Sequence, residues 1–336
     1  MSVRLVKIKI EDIDQIFKKE IDQFIIRNEG LVFHETMFNE ILSEFIKSHL
    51  YYYFIYKSNI LMALCPFHKR KRGLLSEYDS GLLNFEIPYG GWVHLKDLKI
   101  DLLLSLIKPV FLEKYNYFTN IDIDNTFANI QALKYWTAII NLQKKIEDIW
   151  KNTLDSQRRN KIRKAQKNNI LISQHGIEAI DKFYSLLKDM NKKTGMISKN
   201  KEFYKKILKK YSPNKASIFL ATHNNEVLAG VFLFGNKNVM HYWQGASVLN
   251  SGNFGQGELL QWEAIKWCVQ NEMKYYDLCY LFSQKQLDEK AEKQLRIAQF
   301  KLGFAKELVP FYYYTKKTFS FRVINRIQNV LFNQKN

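Results

Sequence analysis

The sequence has little of several features that define particular protein classes. Only 5 Pro and 14 Gly occur among 336 residues, and no tract is rich in Pro, Gly or Ser, which argues against a long disordered linker. The 3 Cys residues are odd in number and scattered through apolar surroundings, so they indicate buried free thiols. A disulfide framework and a metal site are therefore not expected.

Long apolar runs are also missing. No stretch approaches the length of about 20 apolar residues that a membrane-spanning helix needs. The first seven residues, Met-Ser-Val-Arg-Leu-Val-Lys, carry charges and lack the apolar segment of a signal peptide. We therefore expect a cytoplasmic protein, and the apolar share of 46% is sufficient for the cores of two medium domains.

Basic residues are in large excess. The chain has 51 Lys and Arg against 33 Asp and Glu, a formal charge of +18. The segment from Lys151 to Lys167 holds seven basic residues and one acid, Asp155. This balance favours polyanionic partners such as tRNA, nucleotide-linked sugars, coenzyme A or an anionic membrane surface, and charge alone does not choose among them.

The order of apolar patterns predicts mixed α/β structure throughout. In the first half, a helix over 36–48 precedes a hairpin over 50–65, a basic turn at 69–72, a helix near 95–114, and strands at 117–123 and 135–142. In the second half, a helical stretch over 146–168 breaks near Asp155, and the predicted order from Ile170 onward is β-α-α-β-β-β-α-β-α-β. A basic amphipathic helix is predicted for 316–336, docked either on the protein or on a membrane surface.

A helix with one strongly basic face is predicted between Asp155 and Lys167. Arg159, Arg163 and Lys167 recur at a spacing of four residues, which places them on one face. Like charges at this spacing repel, so the face is either solvated or bound to an anion.

A glycine-containing loop precedes the next long helix of the second half. Gly252, Gly255, Gln256 and Gly257 stand between a predicted strand and that helix. Such a loop is either a plain connection or a phosphate site, because backbone amides and the positive helix end together attract anions.

The order of elements in the second half is similar to that of the GNAT acyltransferase fold, and the first half resembles a degenerate copy. Three further segments resemble the Fem-type aminoacyltransferase family, which has tandem GNAT-like halves. They are the helix Arg158–Ala165, the sequence Phe300-Lys301-Leu302-Gly303-Phe304, and Tyr276-Asp277-Leu278. The resemblance implies an α/β (α+β) protein of two GNAT-like domains, each a central mixed sheet flanked by helices. We expect an acceptor-side domain over 1–145, a donor-site domain over 146–315, and the helix over 316–336.

The resemblance also implies roles for individual residues. Lys301 would stabilise the charge that develops on the donor, although a lysine beside Gly303 also suits a helix C-terminus. Asp277 would orient the attacking amine or accept its proton, unless it only bonds neighbouring amides. The residues that would contact the donor phosphates are Gly252, Gly255, Gln256 and Gly257. Those that would contact the substrates are Arg158, Arg159, Arg163, Gln244, Ser247 and Tyr89. Each of these residues also has a purely structural alternative role in a loop, a solvated face, the core or a turn.

The resemblance implies an acyltransferase without a tightly bound cofactor. It would move an aminoacyl group from aminoacyl-tRNA to an amine of a nucleotide- or lipid-linked peptidoglycan or glycan precursor, at the inner face of the cell membrane. Two alternatives stay open. One is an acyl-coenzyme A N-acyltransferase acting on an amino sugar in polysaccharide assembly; the other is an inactive tandem GNAT module that binds RNA or an anionic membrane. DNA is not an expected partner.

Overall fold

The chain forms two compact units in the computed structural model, which describes residues 3–333 except 83–86, 88, 97, 99–104, 120–129, 195–198, 249–253 and 290. Unit 1 contains residues 1–135 and 310–336, and unit 2 contains residues 136–309. The boundaries predicted from the sequence are 145/146 and 315/316.

Unit 1 is a mixed sheet flanked by helices. Its sheet order is β1-β2-β3-β4-β6-β14, with β5 on β3, and all pairs are antiparallel except β4 with β6. Its elements are β1 (Val3–Lys9), α1 (Gln15–Arg27), α2 (Thr36–Ile46), β2 (His49–Lys57), β3 (Ile60–Arg72), β4 (Leu75–Ser80), β5 (Val93–His94), β6 (Glu113–Thr119), the first residues of β7 (Ile130–Asn141), most of β14 (Glu307–Lys317) and α9 (Phe319–Asn333).

Unit 2 follows the order of elements predicted from the sequence, except that a short strand and a short helix precede its last helix. Its sheet order is β7-β12-β11-β10-β9-β8, in which only β11 and β12 are parallel. Its elements are a helical segment (Ile146–Asp148) that continues as a π-helical turn (Ile149–Thr153), α3 (Ser156–Lys167), β8 (Leu171–His175), α4 (Ile180–Thr194), α5 (Lys201–Tyr211), β9 (Ala216–His223), β10 (Glu226–Gly235), β11 (Val239–Ser247), α6 (Gln256–Gln270), β12 (Tyr275–Asp277), β13 (Phe282–Ser283), α7 (Gln284–Asp288) and α8 (Glu292–Leu302).

Each unit buries its own apolar core. In unit 1, Ile21 and Ile25 of α1 pack against Phe54 and other residues of β2. In unit 2, residues of α3 and α6, among them Ile162 and Ile265, pack on the central strands. The helices therefore lie against the sheets, as the spacing of their apolar residues predicts.

The basic segment 69–72 forms part of a strand, so the predicted turn there is wrong. β3 runs to Arg72 and pairs with β4 along its whole charged end. Opposite charges explain this pairing, because Arg70 lies 2.7 Å from Asp79 and 3.8 Å from Glu77. Lys69 in turn lies over the Tyr78 ring at 5.2 Å.

One helix of unit 2 begins with a side-chain cap at the point where the predicted helical stretch breaks. Asp155 accepts a hydrogen bond from the Arg158 backbone N–H at 2.6 Å and caps α3. The last helix of unit 2, α8, begins at Glu292, and the short helix α7 precedes it. Among the described residues, no helix has both the length and the apolar composition to cross a membrane.

Candidate active site

The sheet of unit 2 opens beside β11. The parallel pairing of β11 with β12 ends at His241 and Asp277, whereas β11 continues to Ser247. On its other side, the register of β11 against β10 shifts at a β-bulge that includes Trp243. A bulge bends and twists its strand, so β11 diverges from β12 and leaves an open space in the sheet.

A cleft of about 820 Å³ lies along the diverging part of β11. Glycine and alanine residues of β10 and β11 form much of its wall, and these small side chains leave the space unfilled. Side chains from α6 and α8 complete it. Of the predicted site residues, Ser247, Gln256 and Gly257 line this cleft.

Lys301 lies near this opening, on α8. Its Nζ donates a hydrogen bond to the Tyr280 carbonyl oxygen at 2.9 Å and lies 5.5 Å from the centre of the Tyr242 ring, which lines the cleft. Burial lowers the pKa of Lys301, while the nearby Asp277 and Cys279 act in the opposite direction. The ammonium group is thus held in a fixed position in a poorly solvated environment.

Tyr242 remains a neutral hydrogen-bond donor at ordinary pH. Burial raises the pKa of its phenol to about 12. The ring lies over Gly245, where a Cβ atom would fall 1.9 Å from the phenol oxygen. Glycine at this position therefore lets the tyrosine lie flat against β11.

Asp277 lies at the end of β12 and is 2% exposed. Its carboxylate accepts hydrogen bonds from the Thr137 hydroxyl and from the Cys279 backbone N–H at 2.8 Å, and it lies 2.9 Å from His241 Nδ1. These contacts fix the ring of His241 and the turn that follows β12. Its predicted role toward the amine stays a prediction.

Three described residues of this cluster could also offer ligands to a metal ion. One atom each from His241, Asp277 and Cys279 lie within 4.8 Å of one another. The carboxylate already bonds Thr137, the Cys279 amide and His241, and the Lys301 cation lies nearby. The Asp277 carboxylate and His241 Nδ1 are thus already engaged in hydrogen bonds.

Arg158 connects α3 to α6 and α8. Its guanidinium donates to Glu258 at 2.9 Å and to the Gln299 carbonyl oxygen at 3.3 Å, and it lies 5.1 Å from the centre of the Phe300 ring. A Cβ on Gly303 would meet Arg158 Nε at 2.4 Å, so glycine is required there for the packing of the guanidinium. Arg158 is 7% exposed, and the structure places it in this packed junction.

Two of the three Fem-like segments, Arg158–Ala165 and 300–304, are therefore in direct contact. The backbone N–H of Asp155 donates to the Gly303 carbonyl oxygen at 2.9 Å, which fastens the start of α3 to the end of α8. Gly303 has φ −65°, so its role is to give Arg158 space and not to adopt a left-handed cap. The junction fixes α8, the helix that carries Lys301.

The N-terminus of α6 faces α3. Gly255 precedes this helix with φ 82°, and a Cβ there would lie 2.3 Å from the Lys161 carbonyl oxygen. Glu258, in the first turn, is paired with Arg158 at 2.9 Å and with Lys161 at 3.1 Å. A carboxylate thus already interacts with the positive end of the helix.

The other basic residues of α3 have different surroundings. Arg159 donates to the carbonyl oxygens of Trp150 and Lys151, both at 3.3 Å, and to that of Leu154, so it caps the preceding π-helical turn. Arg163 is exposed and lies over the Trp150 ring at 5.4 Å. The predicted basic face is therefore partly engaged with the protein itself.

The remaining candidates do not form one cluster in the described structure. Gly252 lies outside the described residues. Gln244 lies at the bulge of β11. Tyr89 is buried in unit 1, where its ring packs 5.8 Å from that of Phe33 and 5.5 Å from that of Phe311.

Four residues of this region are not among those predicted from the sequence. They are Tyr242 and His241 on β11, Glu258 on α6, and Arg296, an exposed residue of α8 that lines the cleft. The alternation of aromatic residues in β11 indicated a core strand and hid Tyr242. Glu258 had a detectable signal, because it is an acid directly after a proposed phosphate loop.

Residues 124–227, about a third of the chain, match the model of the FemAB family. No curated protein matches the chain. This match begins before β7 and ends within β10, so it includes the whole of α3.

Solved structures with the same fold include three whose lengths are almost fully covered. FemX superimposes with a TM-score of 0.67 at 12% identity, over 91% of this chain and 96% of that chain. L-PGS from Bacillus licheniformis gives 0.51 at 11% identity, over 91% and 94%. The C-terminal domain of a putative lysylphosphatidylglycerol synthetase from Agrobacterium fabrum gives 0.54 at 10% identity, over 94% and 96%.

These comparisons confirm the resemblance and the mixed α/β fold class predicted from the sequence, and they support the predicted transferase. The chain therefore has the same fold as FemX, and its residues 124–227 resemble the FemAB family.

Proposed function

We propose that the protein is an aminoacyltransferase that moves an aminoacyl group from aminoacyl-tRNA to an amine of a cell-envelope precursor. The acceptor would be a nucleotide- or lipid-linked peptidoglycan or glycan precursor. The FemAB match and the likeness to FemX support this class of reaction. The formal charge of +18 suits a polyanionic donor such as tRNA.

The choice of donor rests on one observation: side-chain and backbone groups of the protein already contact the N-terminus of α6. A coenzyme A donor would need this helix end for its pyrophosphate. Here Glu258 lies in the first turn, and the Lys161 backbone packs against Gly255. The positive end of this helix therefore already interacts with the Glu258 carboxylate and is less available to a diphosphate, which disfavours acyl-coenzyme A.

The reaction would be a direct attack by a neutral amine on the ester carbonyl of the aminoacyl-tRNA. The new N–C bond forms, the ester C–O bond breaks, and the amine proton finally reaches the departing ribose oxygen. Lys301 would stabilise the negative charge on the carbonyl oxygen in the transition state, and Tyr242 would offer a neutral donor beside it. Positioning in the cleft replaces a covalent enzyme intermediate.

The two units have separate proposed roles. Unit 2 contains the cleft and Lys301 and would hold the donor end, whereas unit 1, with Tyr89, would be the acceptor side. The predicted donor and acceptor both belong to the cytoplasm, and lipid-linked acceptors would place the reaction at the inner face of the cell membrane.

One observation favours the alternative, an acyl-coenzyme A N-acyltransferase acting on an amino sugar. Gln256 and Gly257 line the cleft, so part of the helix start is accessible from it. Donor binding by the purified chain distinguishes the two functions. Retention of aminoacyl-tRNA over uncharged tRNA at physiological salt supports the main proposal, whereas thermal stabilisation by acetyl-coenzyme A alone supports the alternative.

A further inference from the structure

The last helix of unit 1 has an exposed apolar row. Phe319, Val323 and Ile327 recur every four residues on α9 and are 74%, 40% and 50% exposed. Phe321 lies on the opposite side, is 3% exposed, and attaches the helix to the unit. The row is therefore a feature of a docked helix and not of a detached tail.

A neighbouring loop extends this apolar row. Val110 and Phe111 are 63% and 76% exposed. The next residue, Leu112, donates its backbone N–H to the Ser320 hydroxyl at 3.3 Å, so the loop lies at the first turn of α9. Several large apolar side chains thus project into solvent from one region of unit 1, and such patches mark interaction surfaces.

Basic residues accompany the apolar row. Lys317, Arg322 and Arg326 line a groove of about 310 Å³ together with Phe319 and Val323. Burial lowers the pKa of Lys316, and the positive charge of the nearby Lys108 lowers it further. No acidic residue follows Glu307 in the sequence.

The nearest acid on the adjoining strand is engaged elsewhere. Glu113 accepts hydrogen bonds from the Tyr78 hydroxyl and the Val110 backbone N–H, both at 3.1 Å. Its charge therefore does not pair with the arginines of α9 in the described contacts.

We propose that this α9 surface, formed by residues 108–111 and 316–327, docks on an anionic phospholipid bilayer. Apolar side chains would enter the interface while the arginines and lysines contact lipid phosphates. A second copy of the chain is a poor occupant, because two such surfaces would bring like charges together. Docking on an anionic bilayer would remove the exposed apolar area from water and would place lipid phosphates beside the excess positive charge.

The test is co-sedimentation of the full chain with vesicles at about 0.15 M salt. Vesicles of phosphatidylglycerol and phosphatidylcholine are compared with vesicles of phosphatidylcholine alone. The variants are Phe319→Ser with Val323→Ser, and Arg322→Gln with Arg326→Gln. Matched controls in the same unit are Ile16→Ser, which is 73% exposed, and Arg4→Gln with Arg27→Gln, which changes the net charge equally.

We expect the native chain and both controls to bind the anionic vesicles equally. Binding should weaken about tenfold or more in each α9 variant. Equal binding of the variants and the controls would overturn the proposal, as would equal binding to phosphatidylcholine vesicles. Loss of self-association in the Phe319 variant, without vesicle binding by the native chain, would also overturn it and identify a contact between copies. Acyl transfer to a water-soluble acceptor is an independent readout, so failure here leaves the proposed function untouched.

Discussion

Two glycines at the start of α6 have different structural requirements. Gly255 has φ 82°, and its Cβ would lie 2.3 Å from the Lys161 carbonyl oxygen, whereas the nearest side-chain atom to a Cβ on Gly257 is 3.8 Å away. We expect Gly255→Ala to lower the free energy of unfolding by about 2 kcal/mol or more. Gly257→Ala should be neutral or stabilising by up to about 1 kcal/mol. Urea unfolding of both variants checks this, and equal effects would contradict the packing described here.

Lys301 should matter more for turnover than for folding. We expect Lys301→Ala to lower kcat by more than about tenfold, because it removes a charge that stabilises the transition state. Lys285→Ala, which changes an exposed lysine of α7, is the matched control. Rates are measured with saturating donor, and far-ultraviolet circular dichroism monitors the fold. Unchanged turnover would remove Lys301 from the active site.

The same lysine should make stability depend on pH. Because burial lowers the pKa of Lys301 in the folded state, the unfolded chain binds its proton more readily. The protonated lysine therefore lowers the free energy of unfolding at neutral pH. This loss becomes smaller as the pH rises toward the ordinary lysine pKa of 10.5. We expect Lys301→Met to be more stable than the native chain at pH 7, with a difference in the free energy of unfolding that shrinks as the pH approaches 10.5. Urea unfolding across this range measures it, and a growing difference would contradict the assignment.

At the scale of elements, the junction of α3, α6 and α8 depends on one buried ion pair. Arg158 and Glu258 are 8% and 7% exposed at their side chains and lie 2.9 Å apart. We expect Arg158→Ala to destabilise the chain by about 3–5 kcal/mol, because it leaves the Glu258 carboxylate buried beside Lys161 alone. Arg163→Ala, on the exposed side of the same helix, should change stability by less than about 0.5 kcal/mol.

A double-mutant cycle separates the pair from its surroundings. If the pair is the main source of the effect, Arg158→Met with Glu258→Leu should be more stable than Arg158→Met alone. A double variant that loses as much stability as both single changes together would show that Arg158 acts mainly through its packing on Phe300 and Gly303.

Local patterns were sufficient for most elements of unit 2. Asp155 signalled the start of α3, and alternating apolar residues signalled the meander β9–β11. They failed where the structure depends on a partner in another element. Arg70 forms part of a strand because Asp79 and Glu77 of β4 lie beside it, and Arg158 is buried because it pairs with Glu258, 100 residues away.

The site was predictable as motifs but not as geometry. Lys301 and Asp277 stand on segments that resemble the family, and both lie beside the opening between β11 and β12. The sequence did not reveal that Arg158 and Gly303 form one packed junction, because that requires helix contacts of high sequence separation. Tyr242 was hidden for the same reason, since its neighbours in the cleft come from α6 and α8.

At the scale of the whole molecule, the charge of +18 suits any polyanionic donor, and the occupied start of α6 favours the proposed tRNA over coenzyme A. Binding of charged tRNA should weaken steeply as salt rises, because several phosphates would be neutralised by Lys and Arg. Transfer of the small aminoacyl group should nevertheless depend on the cleft of unit 2.

The most direct test follows radioactive label from donor to acceptor. The purified chain is mixed with a preparation of nucleotide- and lipid-linked cell-envelope precursors, and either tRNA charged with labelled amino acids or labelled acetyl-coenzyme A is added. We predict label in the precursors from aminoacyl-tRNA, at a rate that falls more than about tenfold in Lys301→Ala. Label that enters the precursors from acetyl-coenzyme A alone would contradict the account.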